Sequence, residues 1–128
     1  MNSTSLAGRS ILICEEEPLI ALGIADAFTS AGARVLTVRS LASAFIALEG
    51  EAPSAVILDH ALSDDESSQL CKRLKERNIP YVFHSGYSKL DGASSDAVHV
   101  PIASNPDVLV TTVLGLLQRR RPTLHLNL

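Results

Sequence analysis

The sequence predicts an α/β fold in which helices cover both faces of a five-stranded parallel sheet. Five short apolar runs rich in branched residues alternate with segments whose apolar residues recur at helical spacing, a pattern typical of repeated βα units. The chain has 128 residues, of which 46% are apolar and 4% aromatic. It is therefore the size of one domain, and its core must consist mainly of Ile, Leu, Val and Ala.

Each predicted strand is an apolar run that stops at polar or turn-forming residues. The five strands are predicted over residues 10–14, 34–38, 54–59, 80–84 and 97–100. Five parallel strands are commonly ordered 2-1-3-4-5, in a doubly wound sheet with helices on both faces. The strand order then reverses between strands one and three, and ligands are expected at the carboxyl ends of those two strands.

Helix boundaries follow from proline, glycine and capping residues between the strands. Pro18 suits the first turn of the first helix and Gly32 its end, and a short second helix ends near Gly50. Ser63 stands three residues before a glutamate, which is the spacing of a capping box for the third helix. The last helix is predicted to end near Arg120. The connection over residues 86–96 is short and rich in Gly and Ser, so the fourth helix should be shortened or irregular.

Composition excludes several classes of function. The formal net charge of -3 gives no electrostatic basis for binding nucleic acid, which requires clustered Lys and Arg. No apolar run is long enough for a signal peptide or a membrane span. Cys14 and Cys71 match no metal-binding spacing and are expected to be reduced core residues. We therefore expect a cytoplasmic protein that binds neither nucleic acid nor membrane.

Acidic residues follow the two strands that flank the predicted switch point. Glu15 and Glu16 follow strand one, and Asp59 ends strand three. Carboxylates this close repel each other unless a proton or a cation lies between them, and a hard ion such as Mg²⁺ fits oxygen ligands. The alternative is that these glutamates are only anions favoured near a helix N-terminus, with Asp59 a polar strand end.

The strand next to strand three ends in a hydroxyl. Ser85 follows strand four and is followed by Gly86, which would let the backbone approach a bound anion closely. An ordinary strand-to-loop Ser-Gly is the other reading of this pair.

Together these features resemble the receiver domain of two-component response regulators. The likeness extends over residues 10–121 and lies mainly in the stretches ILICEEEPLIALGIADAF, AVILDHAL and FHSGY. The last of these is similar to the Phe-Ala-Thr-Gly-hydrophobic-Tyr motif of alphaproteobacterial single-domain receivers. The resemblance implies a flavodoxin-like fold over residues 10–121. Outside it, the sequence leaves an N-terminal tail over 1–9, expected to be disordered, and a C-terminal tail over 122–128.

The resemblance also implies a role for each site residue. Asp59 would be the phosphoacceptor, and Ser85 would hydrogen-bond the transferred phosphoryl group. Mg²⁺ would be held by Glu16, by Asp59 and by the backbone carbonyl of Ala61, while Glu15 would act through water. The protein would be a stand-alone receiver and not an enzyme, taking its phosphoryl group from a sensor histidine kinase or a phosphotransfer protein.

Two positions depart from the family pattern. Val100 stands where receivers carry a lysine before a proline, and Glu16 stands where the second acidic residue is usually Asp. Lys89, four residues beyond Ser85, is a candidate for the missing cation. The departures favour a second hypothesis, a degenerate receiver that acts as an interaction module without phosphorylation.

Two further interpretations concern the histidines and the last helix. His60, His84 and His99 lie near predicted strand ends, but a hydrolase is disfavoured because the sequence has no GxSxG elbow. The last helix carries more apolar residues than one stripe requires. This excess predicts either a partner surface or homodimer through the helix, or a helix that covers a larger part of the core.

Overall fold

The structure, a computed structural model, describes residues 5–59, 64–85, 98–101 and 105–119. Strands and helices alternate as the sequence predicts, except that β4 leads to β5 through undescribed residues. In chain order the elements are β1 Ser10–Cys14, α1 Pro18–Ser30, β2 Arg34–Val38, α2 Leu41–Glu49, β3 Ala55–Asp59, α3 Asp64–Glu76, β4 Tyr81–Ser85, β5 Val98–Pro101 and α4 Pro106–Arg119.

The five strands form one parallel sheet in the predicted order β2-β1-β3-β4-β5. In the register, Cys14 lies beside Leu58 on β3, and Asp59 lies beside His84 on β4. β1 and β3, the strands on either side of the switch point, are buried along nearly their whole length. This confirms the doubly wound fold class and brings the carboxyl ends of β1, β3 and β4 to one rim.

Each face of the sheet has its own apolar core. Alternate strand residues such as Ile13 and Ile57 pack with α1 and α4, whereas Leu12 and Leu58 pack with α2 and α3. Side chains alternate between faces along a strand, so this division also assigns the residues that follow Ile57 on β3. Asp59 therefore belongs to the α1 and α4 face.

The N-terminal boundary differs from the sequence prediction. Residues 5–9 were expected to belong to a disordered tail, but Leu6 is 1% exposed and lies in the α1 and α4 core. Its backbone N–H donates to the Ala31 carbonyl at 2.7 Å, next to the Gly32 turn that ends α1. The prediction failed because one isolated leucine carries no periodic pattern in the sequence, although it belongs to the same buried cluster as Ile24 and Phe28 of α1.

Replacing Leu6 with Ala is expected to lower the free energy of unfolding by about 2–4 kcal/mol, because the truncation leaves a cavity in a closed core. Urea denaturation followed by circular dichroism measures the change. Leu19→Ala is the matched control, since Leu19 is 76% exposed and its truncation should change stability by less than about 0.5 kcal/mol. Equal effects of the two substitutions would contradict the packing of residues 5–9.

The last helix, α4, uses most of its apolar residues inside the domain. Leu109, Val113 and Leu117 are buried, and a second set packs partly buried against the same core: Val110, Leu114 and Leu116. Among the large apolar residues of α4, only Val108 is highly exposed, at 43%. The packing supports the reading in which α4 covers a larger part of the core, and a homodimer through this helix stays a prediction.

Some predictions lie outside the described residues. These are the shortened fourth helix, the cap Ser63, the end of the last helix near Arg120 and the C-terminal tail over 122–128. Within the described part of the chain, no helix has the length and apolar character needed to cross a membrane.

Candidate functional site

Two buried carboxylates meet at the carboxyl rim of the sheet. Glu15 follows β1 directly, and its backbone N–H donates to the Val38 carbonyl at 3.0 Å, which extends the β1–β2 pairing by one residue. Asp59 is the last residue of β3. The side chains of Glu15 and Asp59 are only 3% and 6% exposed. The sequence-based expectation that strands one and three bring acidic residues together is thus met by this pair.

The pairing leaves one carboxylate oxygen unsatisfied. Glu15 Oε2 accepts a hydrogen bond from the Glu17 backbone N–H at 3.1 Å, whereas the buried Oε1 has no hydrogen-bond partner. Burial raises the pKa of Glu15 from 4.5 to about 7, the Glu17 hydrogen bond opposes this, and the neighbouring Asp59 carboxylate raises it further. An unsatisfied buried oxygen beside a second carboxylate is a site that attracts a proton or a cation.

Mg²⁺ fits this pair of residues. Both groups offer hard oxygen ligands, and the unpartnered Oε1 of Glu15 is a free acceptor beside Asp59. Within the described residues, no three side chains of the His, Cys, Asp or Glu type converge as a metal cluster. The pair would therefore supply two protein oxygens, and Mg²⁺ commonly keeps several waters in such sites.

The other two glutamates of the run have different surroundings. Glu16, which the family resemblance implies as a direct Mg²⁺ ligand, is exposed, while Glu15, implied to act through water, is buried beside Asp59. Glu17 is the N-cap of α1 and accepts a hydrogen bond from the Leu19 backbone N–H at 3.5 Å. The structure therefore brings Glu15 and Asp59 together and leaves Glu16 and Glu17 at the surface.

His84 is a site neighbour that the sequence suggested only as part of a disfavoured hydrolase. It is 4% exposed, it lies beside Asp59 in the β3–β4 register, and its Nδ1 atom has no hydrogen-bond partner. Burial lowers the pKa of the imidazole, and the nearby Asp59 carboxylate partly offsets that effect. On the other side, His84 pairs with Val100 of β5, which is 4% exposed and belongs to the α1 and α4 core.

A buried thiol completes the surroundings of the carboxylates. Cys14 Sγ donates to the Ser40 carbonyl at 3.4 Å, and the side chain is fully buried. Burial, followed by the charges of Asp59 and Glu15, raises the pKa of Cys14 to about 12. The thiol therefore stays protonated and unreactive at neutral pH, in agreement with its predicted role as a small core residue.

Other predicted site residues are placed only in part. Ser85 is the last residue of β4, and its backbone pairs with Pro101 of β5. Ala61 lies outside the described residues, as do Gly86, His60 and Lys89.

Stability should depend on pH because of Glu15. Folding raises the pKa of Glu15 from 4.5 to about 7, so the folded state favours the protonated carboxyl. The stability that this preference contributes is fully present below pH 4.5 and is lost as the pH rises through about 7. His84, with a pKa lowered from 6.5, acts oppositely and contributes stability that is lost as the pH falls below that value. The two effects oppose each other from 4.5 to above 6.5, where the unfolded imidazole still titrates, so the Glu15 effect is isolated by comparison with Glu15→Gln, which retains His84.

In the presence of a chelator, the free energy of unfolding of the wild type, measured relative to that of Glu15→Gln, is therefore expected to fall by on the order of 1 kcal/mol between about pH 6.5 and 8.5. Urea unfolding at a series of pH values measures the slope. Glu15→Gln should lack the fall in stability in this window, whereas Glu49→Gln, at an exposed position on α2, should have the same slope as the wild type. A slope that persists in Glu15→Gln would assign the dependence to another group.

Comparison with known proteins identifies similar folds. A family model described as response regulator receiver domain matches residues 11–100. No curated protein matches the chain. Among solved structures, a response regulator receiver protein from Sinorhizobium medicae is 27% identical, with a TM-score of 0.77, over 89% of this chain and 98% of that chain.

Two further structures share the fold. A signal receiver domain of a signal transduction histidine kinase from Syntrophus aciditrophicus is 23% identical, with a TM-score of 0.76, over 94% of this chain and 98% of that chain. The response regulator PhyR from Brucella abortus is 25% identical, with a TM-score of 0.71, over 90% of this chain and 49% of that chain. This chain therefore corresponds to about half of PhyR.

Proposed function

The chain belongs to the response regulator receiver domain family, and on this premise we propose that it accepts a phosphoryl group on Asp59 in phosphorelay signalling. The observation that carries the proposal is the buried Asp59 carboxylate at the switch point, beside Glu15 with its unpartnered Oε1. The donor would be a sensor histidine kinase or a phosphotransfer protein, both of which present a phosphohistidine.

The transfer requires little from the chain beyond position and charge. A carboxylate oxygen of Asp59 attacks the phosphorus of the phosphohistidine, the P–N bond breaks, and the imidazole leaves as an acyl phosphate forms. Mg²⁺, when bound, would neutralise the negative charge that the carboxylates and the phosphoryl group share. Glu15 and Asp59 would hold it, with the Ala61 carbonyl and Glu16 as the further ligands that the family resemblance implies.

Two features of the chain prepare Asp59 for this role. Its backbone pairs with His84 of β4, and the preceding Leu58 pairs with Cys14 of β1, so the carboxylate is held at one place on the rim. Ser85, the next residue along β4 from the partner of Asp59, would donate a hydrogen bond to the phosphoryl group. The Glu15 carboxylate would raise the affinity for the metal and would not act as the nucleophile.

A second candidate function is a receiver that binds a partner without being phosphorylated. It is favoured by Val100, which is apolar and buried in β5 at the position where the family resemblance implies a lysine. A receiver without that ammonium has one fewer fixed positive charge to stabilise the phosphoryl group and to link its arrival to a change in β4 and β5. In this alternative, Glu15 and Asp59 would bind a cation or share a proton without further chemistry.

The remaining parts of the proposal concern location and partners. Cys14, which is buried, and Cys71, which is half-buried, are not joined by a disulfide, which supports a reducing compartment such as the cytoplasm. The charge of -3 supports a protein partner over nucleic acid. A homodimer through α4 would be checked by light scattering coupled to gel filtration, and a monomer at high concentration would exclude it.

The experiment that tests the proposed function is phosphorylation by a small donor. The protein is incubated with acetyl phosphate and Mg²⁺, and intact-protein mass spectrometry detects one added phosphoryl group. We expect a single modification that requires Mg²⁺ and is released by base or by hydroxylamine, as an acyl phosphate is. No modification with acetyl phosphate or with a phosphorylated phosphotransfer domain would favour the interaction module.

A further inference from the structure

Two buried polar atoms without hydrogen-bond partners are found in the described side chains, and both flank Asp59. One is Oε1 of Glu15, on the β1 side, and the other is Nδ1 of His84, on the β4 side. Leaving a buried polar group unsatisfied costs about 1–3 kcal/mol, so such atoms are rare in folded domains. Glu15 follows β1 and His84 lies on β4, the two strands that neighbour β3, so both unpartnered atoms belong to the surroundings of Asp59.

The two atoms have complementary chemistry. A carboxylate oxygen only accepts hydrogen bonds or binds cations, which is why Glu15 is assigned to the metal. A neutral imidazole carries its proton on either nitrogen, so Nδ1–H can donate to an anion without any change in charge. A phosphoryl group on Asp59, with its oxygens directed toward β4, would satisfy the donor that His84 offers.

The register shows why His84 lies where a donor is needed. Asp59, His84 and Val100 are neighbours across β3, β4 and β5, and register partners in a parallel sheet point to the same face. Ile57, Val82 and Val100 all belong to the α1 and α4 core, which identifies that face. His84 therefore occupies the space between Asp59 and the β5 position from which a longer cationic side chain would have to reach.

Resting on the proposed function, we propose that His84 Nδ1–H hydrogen-bonds the phosphoryl group on Asp59 and supplies, from β4, the contact that Val100 cannot supply from β5. The assignment makes His84 a catalytic residue of the transfer, because it touches the group being moved. It also accounts for a buried polar side chain on the sheet face that carries Val82 and Val100.

The test uses beryllofluoride with Mg²⁺ as a mimic of the acyl phosphate, together with two substitutions. His84→Asn keeps an amide donor near the position of Nδ1, and His84→Leu removes the donor while keeping an apolar volume. The affinity for beryllofluoride is measured by fluorine NMR, and the protonation of Nδ1 is followed by nitrogen-15 NMR of the imidazole. Urea unfolding of each variant shows whether the fold is intact.

We expect beryllofluoride to produce a protonated, hydrogen-bonded Nδ1 signal in the wild type. His84→Leu should bind the mimic about 10- to 100-fold more weakly, as the loss of a hydrogen bond to a charged group implies, and His84→Asn should recover most of that loss. If His84→Leu does not fold, the wild-type Nδ1 signal alone decides.

Two results would overturn the inference and are distinguishable from each other. If the wild type binds beryllofluoride but Nδ1 is unchanged, or if His84→Leu binds it as tightly as the wild type, His84 has no role and the proposed function stands. If the wild type does not bind beryllofluoride with Mg²⁺, the proposed function and the inference fail together.

Discussion

Replacing Asp59 with Asn should abolish phosphorylation by acetyl phosphate, with a loss of at least about 100-fold in the rate of incorporation. The asparagine side chain has nearly the same shape as the aspartate, but an amide oxygen is not a nucleophile toward phosphorus under these conditions. The fold should survive, because the substitution removes a like charge beside Glu15 and leaves the packing of β3 intact. Intact-protein mass spectrometry over a time course gives the rate.

The matched control for this substitution is Asp26→Asn. Asp26 lies exposed on α1, away from the carboxyl rim, so its loss changes the net charge equally without touching the site. Asp26→Asn should be phosphorylated at the wild-type rate. Incorporation that continues in Asp59→Asn would show that another residue is the acceptor.

Replacing Glu15 with Gln should have two effects of opposite sign. Without metal at about pH 8, the free energy of unfolding should rise by on the order of 1–2 kcal/mol, because a buried charge that repels Asp59 is removed. The affinity for Mg²⁺ should fall by about 10- to 100-fold, because one of the two converging carboxylates is lost. Urea unfolding with a chelator and a calorimetric titration with Mg²⁺ measure the two effects.

Glu16→Gln tests which glutamate binds Mg²⁺ more strongly, since the structure and the family resemblance point to different residues. The resemblance implies that Glu16 is the direct ligand, but the structure leaves Glu16 exposed and Glu15 buried beside Asp59. We expect a smaller loss of Mg²⁺ affinity in Glu16→Gln than in Glu15→Gln, and almost no change in metal-free stability. A larger loss in Glu16→Gln would show that the carboxylates rearrange when the metal binds.

Most of the fold could be predicted from the sequence because its signals are local. The apolar runs, Pro18 at the start of α1 and Gly32 at its end each act within a few residues, and the structure confirms the helix and the strand order they imply. Leu6 could not be predicted in this way. Its burial depends on the distant end of α1, and no neighbouring residue repeats its apolar character.

The part of the candidate site that lies at the ends of β1 and β3 could be predicted from the sequence. Glu15 and Asp59 follow from the switch point, because any two carboxylates at those strand ends must share the rim. Which of the three consecutive glutamates is buried could not be predicted from the sequence, since it depends on the residues at which β1 ends and α1 begins. In the structure, β1 pairing continues to Glu15 and Glu17 caps α1, which leaves Glu15 as the buried member of the run.

His84 was missed as a neighbour of the acceptor although a signal for it existed. Alternation along β4 places His84 on the same face as Val82, and the order 2-1-3-4-5 makes β4 the neighbour of Asp59. Combining the two would have placed an imidazole beside the acceptor. The register of β3 and β4, which the sequence does not fix, was needed to make the two residues direct neighbours.

The most direct test of the site is a proton–nitrogen NMR titration with Mg²⁺ and then with beryllofluoride. Mg²⁺ should shift the amides around Glu15 and Asp59 first, and beryllofluoride should then shift those of His84 and Ser85, with changes that extend to β5 and α4. This result would establish an acyl phosphate site that communicates with the rest of the domain. A spectrum that responds to neither addition would contradict phosphoryl acceptance at Asp59 and leave the interaction module as the function.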